Sequence, residues 1–380
     1  MRRSALTRRT FLRGLLAGAA VLGPRPAPAE EVVTVGVVLP SPSPLARAIT
    51  EGATLGLDDA NALATQFGKR LRLVSETAPD GAAAGAAGRS LASAGAIAVL
   101  GGAGGAAPAL RDATAPSGTI FFNVVAPDEA LRQEGCARHV FHLAPSVTML
   151  MDTLGTVLVA RRLGRWAVTG DGSARAQEVE AAARRAAGRQ GATVVAPEAA
   201  DVTLLALEGP ALREALGAAR TAGRTVAGLG GDVPASLGPD DAIGFWAVGW
   251  HYGLERFSAR ELNSKFRRRF SGPLGEASWA SWAAVKLIGE AVVRGGAARP
   301  AALATFLESS PPFDGHKGTA LVFRAWDHQL RQPLYVIGPR KREEITGRRG
   351  PFELVGETGD TALDGLGTSA VESRCRQGTR

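Results

Sequence analysis

The feature that most constrains this chain is an alternation of strand-like and helix-like runs that begins near residue 32 and starts over near 146. Val32-Val33-Thr34-Val35-Gly36-Val37-Val38-Leu39 is nearly unbroken apolar and β-branched sequence, the mark of a strand covered on both faces. Helical spacing over 45–64 follows, then strand 70–77, helix 82–94, strand 96–100, strand 119–125 and a short strand over 139–143. The second series runs through helix 146–162, strand 166–169, helix 174–190, strands 193–195 and 202–207, helix 210–222, and strands 225–229 and 245–248. Strands separated by helices build parallel sheets, and two series of similar size predict two sheets in two lobes rather than one large sheet. Helices are predicted over 258–271 and 277–294. Thr319 to Phe323 and Pro333 to Ile337, joined through Trp326-Asp327-His328-Gln329, read as a hairpin. In open parallel sheets, ligands bind beside the carboxyl ends of the strands, so the expected site is a crevice between the lobes.

The first 29 residues read as a targeting segment. Arg2, Arg3, Arg8, Arg9 and Arg13 precede a ten-residue apolar run, Gly14 to Gly23, and Ala27-Pro28-Ala29 fits a small-residue cleavage site. Thr7-Arg8-Arg9-Thr10-Phe11-Leu12-Arg13 resembles a twin-arginine export motif. Ten apolar residues are too few to cross a hydrocarbon core of about 30 Å, and no later run is long and apolar enough, so no membrane span is expected. Removing 1–29 takes away six arginines and no acid, leaving 38 basic residues against 36 acidic. The high charge therefore sits mostly in the leader and gives little reason to expect a nucleic-acid partner. Arg267-Arg268-Arg269 reads as the solvated face of a helix. The last thirty or so residues are the least patterned and are expected along the surface.

Motifs for chemistry are missing. The turn Gly101 to Gly105 follows a strand as a phosphate cradle would, yet no G-x-G-x-x-G or G-x-x-x-x-G-K-[ST] occurs, and a plain tight turn explains it. His139 and His142, three apart in a strand, point to opposite sides. His251, His316 and His328 lack zinc-site context, and Asp58-Asp59 and Asp240-Asp241 lack calcium-loop spacing. No G-x-S-x-G elbow appears. Neither a catalytic function nor a cofactor is expected, and a nucleotide-dependent Rossmann-like enzyme is the least favoured reading. Cys136 and Cys375 are a candidate disulfide in an oxidising compartment; spacing alone leaves two separate thiols equally open.

Over residues 32 to 340 the order of elements resembles the type I periplasmic binding proteins, the leucine/isoleucine/valine-binding class of ABC importers. The resemblance is carried by Glu51-Gly52-Ala53-Thr54-Leu55-Gly56-Leu57-Asp58-Asp59-Ala60-Asn61, by Val99-Leu100-Gly101-Gly102 and by Trp282-Ala283-Ala284-Val285-Lys286-Leu287-Ile288-Gly289-Glu290-Ala291. Further blocks are similar to a subgroup associated with pyrroloquinoline-quinone-dependent alcohol dehydrogenase systems. They include Phe122-Asn123, Ala126-Pro127-Asp128, Leu131-Arg132, Cys136, Phe313-Asp314-Gly315, Lys317-Gly318, Trp326-Asp327, Gln329-Leu330-Arg331-Gln332-Pro333 and Cys375.

The resemblance implies two Rossmann-like lobes joined by a three-segment hinge near 143, 251 and 316. One lobe would be 31–143 plus 252–315, the other 144–251 plus 316–340, with 341–380 as a C-terminal tail. It implies a periplasmic small-molecule binder that docks on an ABC permease, with a quinoprotein dehydrogenase as a further partner; the alternative is an accessory protein of such a dehydrogenase. Because both cysteines fall within it, the resemblance favours their pairing. The expected ligand-binding residues lie at strand ends and the helix start that face the crevice: Ser41, Gly104, Asn123, Asp128, Asp171, Asp232, Trp250, His251 and Trp279. Amino-acid-binding relatives use Ser or Thr hydroxyls after strands three and four. Here Gly102 to Ala106 and Ala126-Pro127-Asp128 carry none, and a buried ligand carboxylate without partners is costly, so the ligand class is not carried over.

Overall fold

The computed structural model describes residues 30–346 and 350–376; the predicted leader, 1–29, lies outside the described residues. The first lobe is built from β1 (Glu31–Leu39), α1 (Pro44–Ala64), β2 (Lys69–Thr77), α2 (Gly81–Ser93), β3 (Ala96–Gly101), α3 (Ala106–Thr114), β4 (Ile120–Asn123) and β5 (Val140–His142). Its five strands lie in the order β2-β1-β3-β4-β5, all parallel. Six consecutive residues of β1 are buried, as the continuous apolar run requires of a strand with helices on both faces. Ser43 accepts the Ala46 N–H at the start of α1 and Pro44 occupies its first turn, which satisfies a helix end that opens toward the crevice.

The second lobe follows with α4 (Val147–Ala160), β6 (Arg165–Gly170), α5 (Ala174–Gln190), β7 (Thr193–Val194), β8 (Val202–Ala206), α6 (Gly209–Thr221), β9 (Val226–Leu229), α7 (Asp232–Ser236) and β10 (Phe245–Val248). The chain then returns to the first lobe as α8 (Ala259–Phe270), α9 (Glu276–Arg294) and α10 (Pro300–Glu308). Helix α9 lies against α1 with almost no gap. A Cβ built on Gly52 would sit 2.1 Å from the Ser278 carbonyl oxygen, and one on Gly56 2.6 Å from that of Trp282. Glycine at these two positions is what lets the helix backbones touch.

The C-terminal part departs from expectation. Thr319–Phe323 and Pro333–Ile337 do not form a hairpin. Instead β11 (Val322–Phe323) pairs with β12 (Leu330–Arg331), and Gln329 bridges to His142 at the edge of the first sheet. Residues near Gln329 thus lie beside the edge of the first sheet, and the chain reaches the second sheet at Tyr335. Strand β13 (Tyr335–Pro339) then joins β10 antiparallel, because Leu334 to Ile337 are all buried and need a sheet neighbour on each side. The tail does not merely lie along the surface: β14 (Phe352–Glu357) pairs with β13 and closes the second sheet in the order β14-β13-β10-β9-β8-β6-β7.

Candidate functional site

Loops at the carboxyl ends of the two sheets meet. After β4, the Glu129 N–H donates to Glu178 Oε1 of α5 at 2.6 Å, and Glu129 Oε1 accepts from both the backbone N–H and the hydroxyl of Thr148 in α4 at 2.7 Å. At a second contact between the lobes, the Gly231 N–H, just beyond β9, donates to Glu276 Oε2 at the start of α9 at 2.9 Å. Three carboxylates, those of Glu129, Glu178 and Glu276, therefore bridge the lobes through backbone amides. Burial raises the Glu178 carboxyl, and the amide bond from Glu129 opposes that shift.

Four of the expected residues are exposed on the rim: Ser41 between β1 and α1, Gly104 after β3, Asp128 after β4, and Asp171 after β6. The Gly102 to Gly105 turn winds through positive φ at Gly102 (117°), Gly104 (60°) and Gly105 (77°), which glycine alone adopts readily. Asp171 accepts from Ser173 at 3.0 Å, and the hydrogen bonds from Ser173 hold its carboxyl below the ordinary range. Asp232 is the first residue of α7; its side chain lies outside what the structure describes.

The other four are buried and partnered. Asn123 is 0% exposed; its Nδ2 donates to the Ala126 carbonyl at 2.7 Å and lies 3.0 Å from His142 Nδ1, while its Oδ1 accepts from the Ala126 N–H at 2.8 Å. Its amide is spent on shaping the turn that presents Asp128. Trp250 and Trp279 are 2% and 1% exposed, stack at 5.7 Å, and donate to Asn263 Oδ1 and the Gly315 carbonyl. They lie within one apolar cluster that runs from β1 to Trp246 of the second sheet. His251 accepts the Gly253 N–H at 3.1 Å, and burial, aided by the Arg340 charge, lowers its pKa to about 4. Trp250, Trp279 and His251 are packed where the two lobes join, and Asn123 shapes the turn after β4.

Three buried cations, Arg132, Lys317 and Arg324, had no assigned role in the sequence, and the first two tie the loops of this site. Lys317 Nζ donates to the Gly249 carbonyl (2.6 Å), Gln332 Oε1 (2.5 Å) and the Pro333 carbonyl (3.2 Å), and lies 3.9 Å from the Trp279 ring centroid. Gln332 Nε2 in turn donates to the Leu143 carbonyl at 2.7 Å. This pair joins all three passages between the lobes, at 143, 249 and 333. Arg132, 1% exposed, donates to Gln329 Oε1 and to the carbonyls of Ala126, Asp128 and Ala144, tying the rim turn to the first passage. Desolvation depresses Arg132 and, strongly, Lys317.

Two surface recesses lie away from these loops. One of about 360 Å³ sits between α1 and β2; another of about 860 Å³ lies between α8 and β13–β14, with Arg260, Arg267 and Arg268 on its solvent-exposed helix side. Neither recess is built from strand ends of both sheets. Among the described residues, no group of three or more His, Cys, Asp and Glu side chains is placed to hold a metal ion, and no helix is long and apolar enough to cross a membrane.

The periplasmic binding protein family model matches residues 32–201 and 198–342. The chain belongs to this family. Solved structures of similar fold include a periplasmic binding protein from Burkholderia mallei, with 17% identity and a TM-score of 0.76, covering 92% of this chain and 100% of that one. A branched chain amino acid ABC transporter periplasmic ligand-binding protein from Burkholderia xenovorans gives 18% and 0.78, with 91% and 99% covered. A leucine-, isoleucine-, valine-, threonine- and alanine-binding protein from Brucella ovis, in a closed conformation, gives 14% and 0.78, again with 91% and 99% covered. At these identities the likeness concerns the fold. Sequence comparison with curated proteins finds no match. The family's two-lobed α/β architecture with parallel-stranded sheets is the fold class expected from the sequence.

Proposed function

We propose that this chain is the solute-binding component of an ABC-type importer, exported to the periplasm, which holds a small molecule between its lobes and presents the closed form to a membrane permease. The observation that supports this most is the meeting of carboxyl-end loops from two parallel sheets across three passages that Lys317 and Gln332 hold together. Lobe closure around a ligand follows from such a hinge. On this reading 31–143 and 252–315 move as one body and 144–251 with the second-sheet strands as the other, with the third boundary at 332–334. The exposed candidates Ser41, Gly104, Asp128 and Asp171 are the ligand contacts we favour; Asn123, Trp250, His251 and Trp279 position them.

The similar Burkholderia xenovorans structure is of a branched chain amino acid ABC transporter ligand-binding protein, and the Brucella ovis one is of a leucine-, isoleucine-, valine-, threonine- and alanine-binding protein. The rim turns at Gly102–Ala106 and Ala126–Asp128 carry no hydroxyl, so a ligand held by Ser or Thr at those turns is not favoured here. The blocks that resemble the alcohol-oxidation subgroup make alcohol-derived acids the first compounds to test, ahead of amino acids and amides. Thermal-shift and calorimetric titration of the mature chain provide the test. A ligand at a hundredfold excess over its Kd stabilises the folded form by about 2.7 kcal/mol, an easily read shift. Absence of binding across all three classes, with a dehydrogenase rather than a permease recovered from periplasm, would instead favour the accessory role.

A further inference from the structure

We infer that residues 352–375 form a strap that fastens the second lobe covalently to the first and limits how far the crevice opens. The strap begins as β14, hydrogen-bonded into the second sheet through β13. After a turn over 360–366 that touches Arg324 and Arg331 beside the first lobe, it is held on the second lobe at Gly367, whose N–H donates to Asp152 Oδ2 of α4 at 2.9 Å and whose carbonyl accepts from Arg185 of α5 at 2.6 Å. Arg185 also pairs with Glu372 at 3.0 Å, and Glu372 accepts from the backbone and hydroxyl of Ser369. The second lobe therefore holds the chain up to Glu372.

Three residues later the partner changes. Cys375 is bonded to Cys136, which lies between β4 and β5 of the first sheet, so the pairing that the resemblance favoured is present. The Arg374 N–H donates to Gln133 Oε1 at 2.9 Å, and its guanidinium pairs with Glu134 at 3.0 Å. The receiving loop is itself fixed: Arg111 donates to the Gly135 carbonyl at 2.9 Å, and the Phe121 N–H of β4 donates to the His139 carbonyl at 2.8 Å. Three fully extended residues span at most about 11 Å, so the two anchors have little slack. Arg324, beside the first lobe in the β11–β12 segment, adds bonds to the Leu363 and Leu366 carbonyls at 2.8 and 2.7 Å. Three peptide passages let the lobes turn; this fourth link, closed by a disulfide, caps that turn. Reducing the bridge leaves only hydrogen bonds and ion pairs to resist opening.

The inference rests on the hinged-lobe reading, and the test separates the two. Nitroxide labels on non-cysteine unnatural residues at the exposed positions Arg47 and Gln177 report the distance between lobes in the full mature chain by electron–electron resonance. We expect a narrow distribution for the oxidised protein, and a longer, broader one for Cys136→Ser/Cys375→Ser. Where that variant fails to fold, the folded wild type reduced with a phosphine supplies the same comparison. A third arm loosens the hinge itself with Gln332→Ala in the bridge-free protein. If distances respond to Gln332→Ala but not to loss of the bridge, the lobes turn and the strap does not limit them, which overturns the inference alone. If neither responds, the hinged-lobe reading falls with it.

Discussion

Replacing Gly52 by alanine tests the close α1–α9 contact on which the position of the crevice depends. The added Cβ would stand 2.1 Å from the Ser278 carbonyl oxygen and 2.7 Å from its carbonyl carbon and Cα, atoms of a helix backbone that cannot swing aside. Real Cβ contacts stay beyond 3 Å, so the helices must part by about 1 Å along a seam that includes Ile49, Ala53, Trp279 and Trp282, all essentially buried. Overpacking of this kind costs about 1–3 kcal/mol, and more where backbone is the obstacle; alanine's better helix propensity returns about 0.8–1 kcal/mol. The net expectation is a loss of about 2 kcal/mol, read as a fall in Tm of about 4–8 °C for a lobe of this size. Gly217→Ala in α6 is the control, since its Cβ would meet nothing within 4 Å. There the propensity gain is unopposed, and a stabilisation of about 0.5–1 kcal/mol is expected. The two substitutions are chemically identical and differ only in their neighbours. A neutral or stabilising Gly52→Ala, measured by differential scanning calorimetry, would refute the contact as described.

Burial depresses Lys317 in the folded state, so the unfolded chain binds more protons below the ordinary lysine pKa. Its contribution is fully present above that value and is lost as pH falls toward the folded pKa. The unfolding free energy of wild type minus that of Lys317→Met should therefore rise as pH climbs toward the ordinary lysine pKa of about 10.4, and a flat difference would show that the converging carbonyls keep Lys317 charged and would contradict the depression. His251, lowered to about 4, behaves alike in acid: roughly 3 kcal/mol is lost as pH drops from 6.5 toward 4, and its imidazole resonances should show no titration between pH 6 and 8. Asp152→Ala removes the acceptor of the Gly367 N–H and the partner of Arg185 and Arg189; denaturant titration should show a loss of about 2 kcal/mol, with faster tryptic cleavage at Arg374.

The parallel core of the fold was legible because its signal is local. Val33 to Val38 and Ala96 to Leu100 can be buried on two faces only inside a helix-covered sheet, and both are. The C-terminal third was harder because its partners are distant. Nothing within Pro333 to Ile337 says whether its neighbour is Thr319–Phe323, close in sequence, or Phe245–Val248, nearly ninety residues earlier, and the sheet took the second. Phe352 to Glu357 became a strand only because β13 presented an edge to it. Helix α10 escaped detection even though Pro300 in its first turn and the spacing of Leu303 and Leu307 are recognisable start and periodicity signals.

The site divides along the same line. Sequence position places a residue at a strand end; exposure depends on what the rest of the chain brings there. Ser41, Gly104, Asp128 and Asp171 stay on the rim, whereas Asn263 and Gly315 take up the indole N–H groups of Trp250 and Trp279, and the Ala126 backbone together with His142 takes up the amide of Asn123. Aromatics gathered where two lobes join have more apolar surface to cover than a small ligand offers, so the hinge claims them. Arg132 and Lys317 were hidden for the opposite reason, since long cations are rarely found fully buried. Each is buried here because backbone carbonyls from separate segments converge on it: Gly249 and Pro333 from two passages on Lys317, and Ala126 and Asp128 of the turn after β4 with Ala144 of the first passage on Arg132. A cation that satisfies acceptors on several crossing segments fixes the geometry of a hinge in a way an apolar residue cannot, because its bonds are directional.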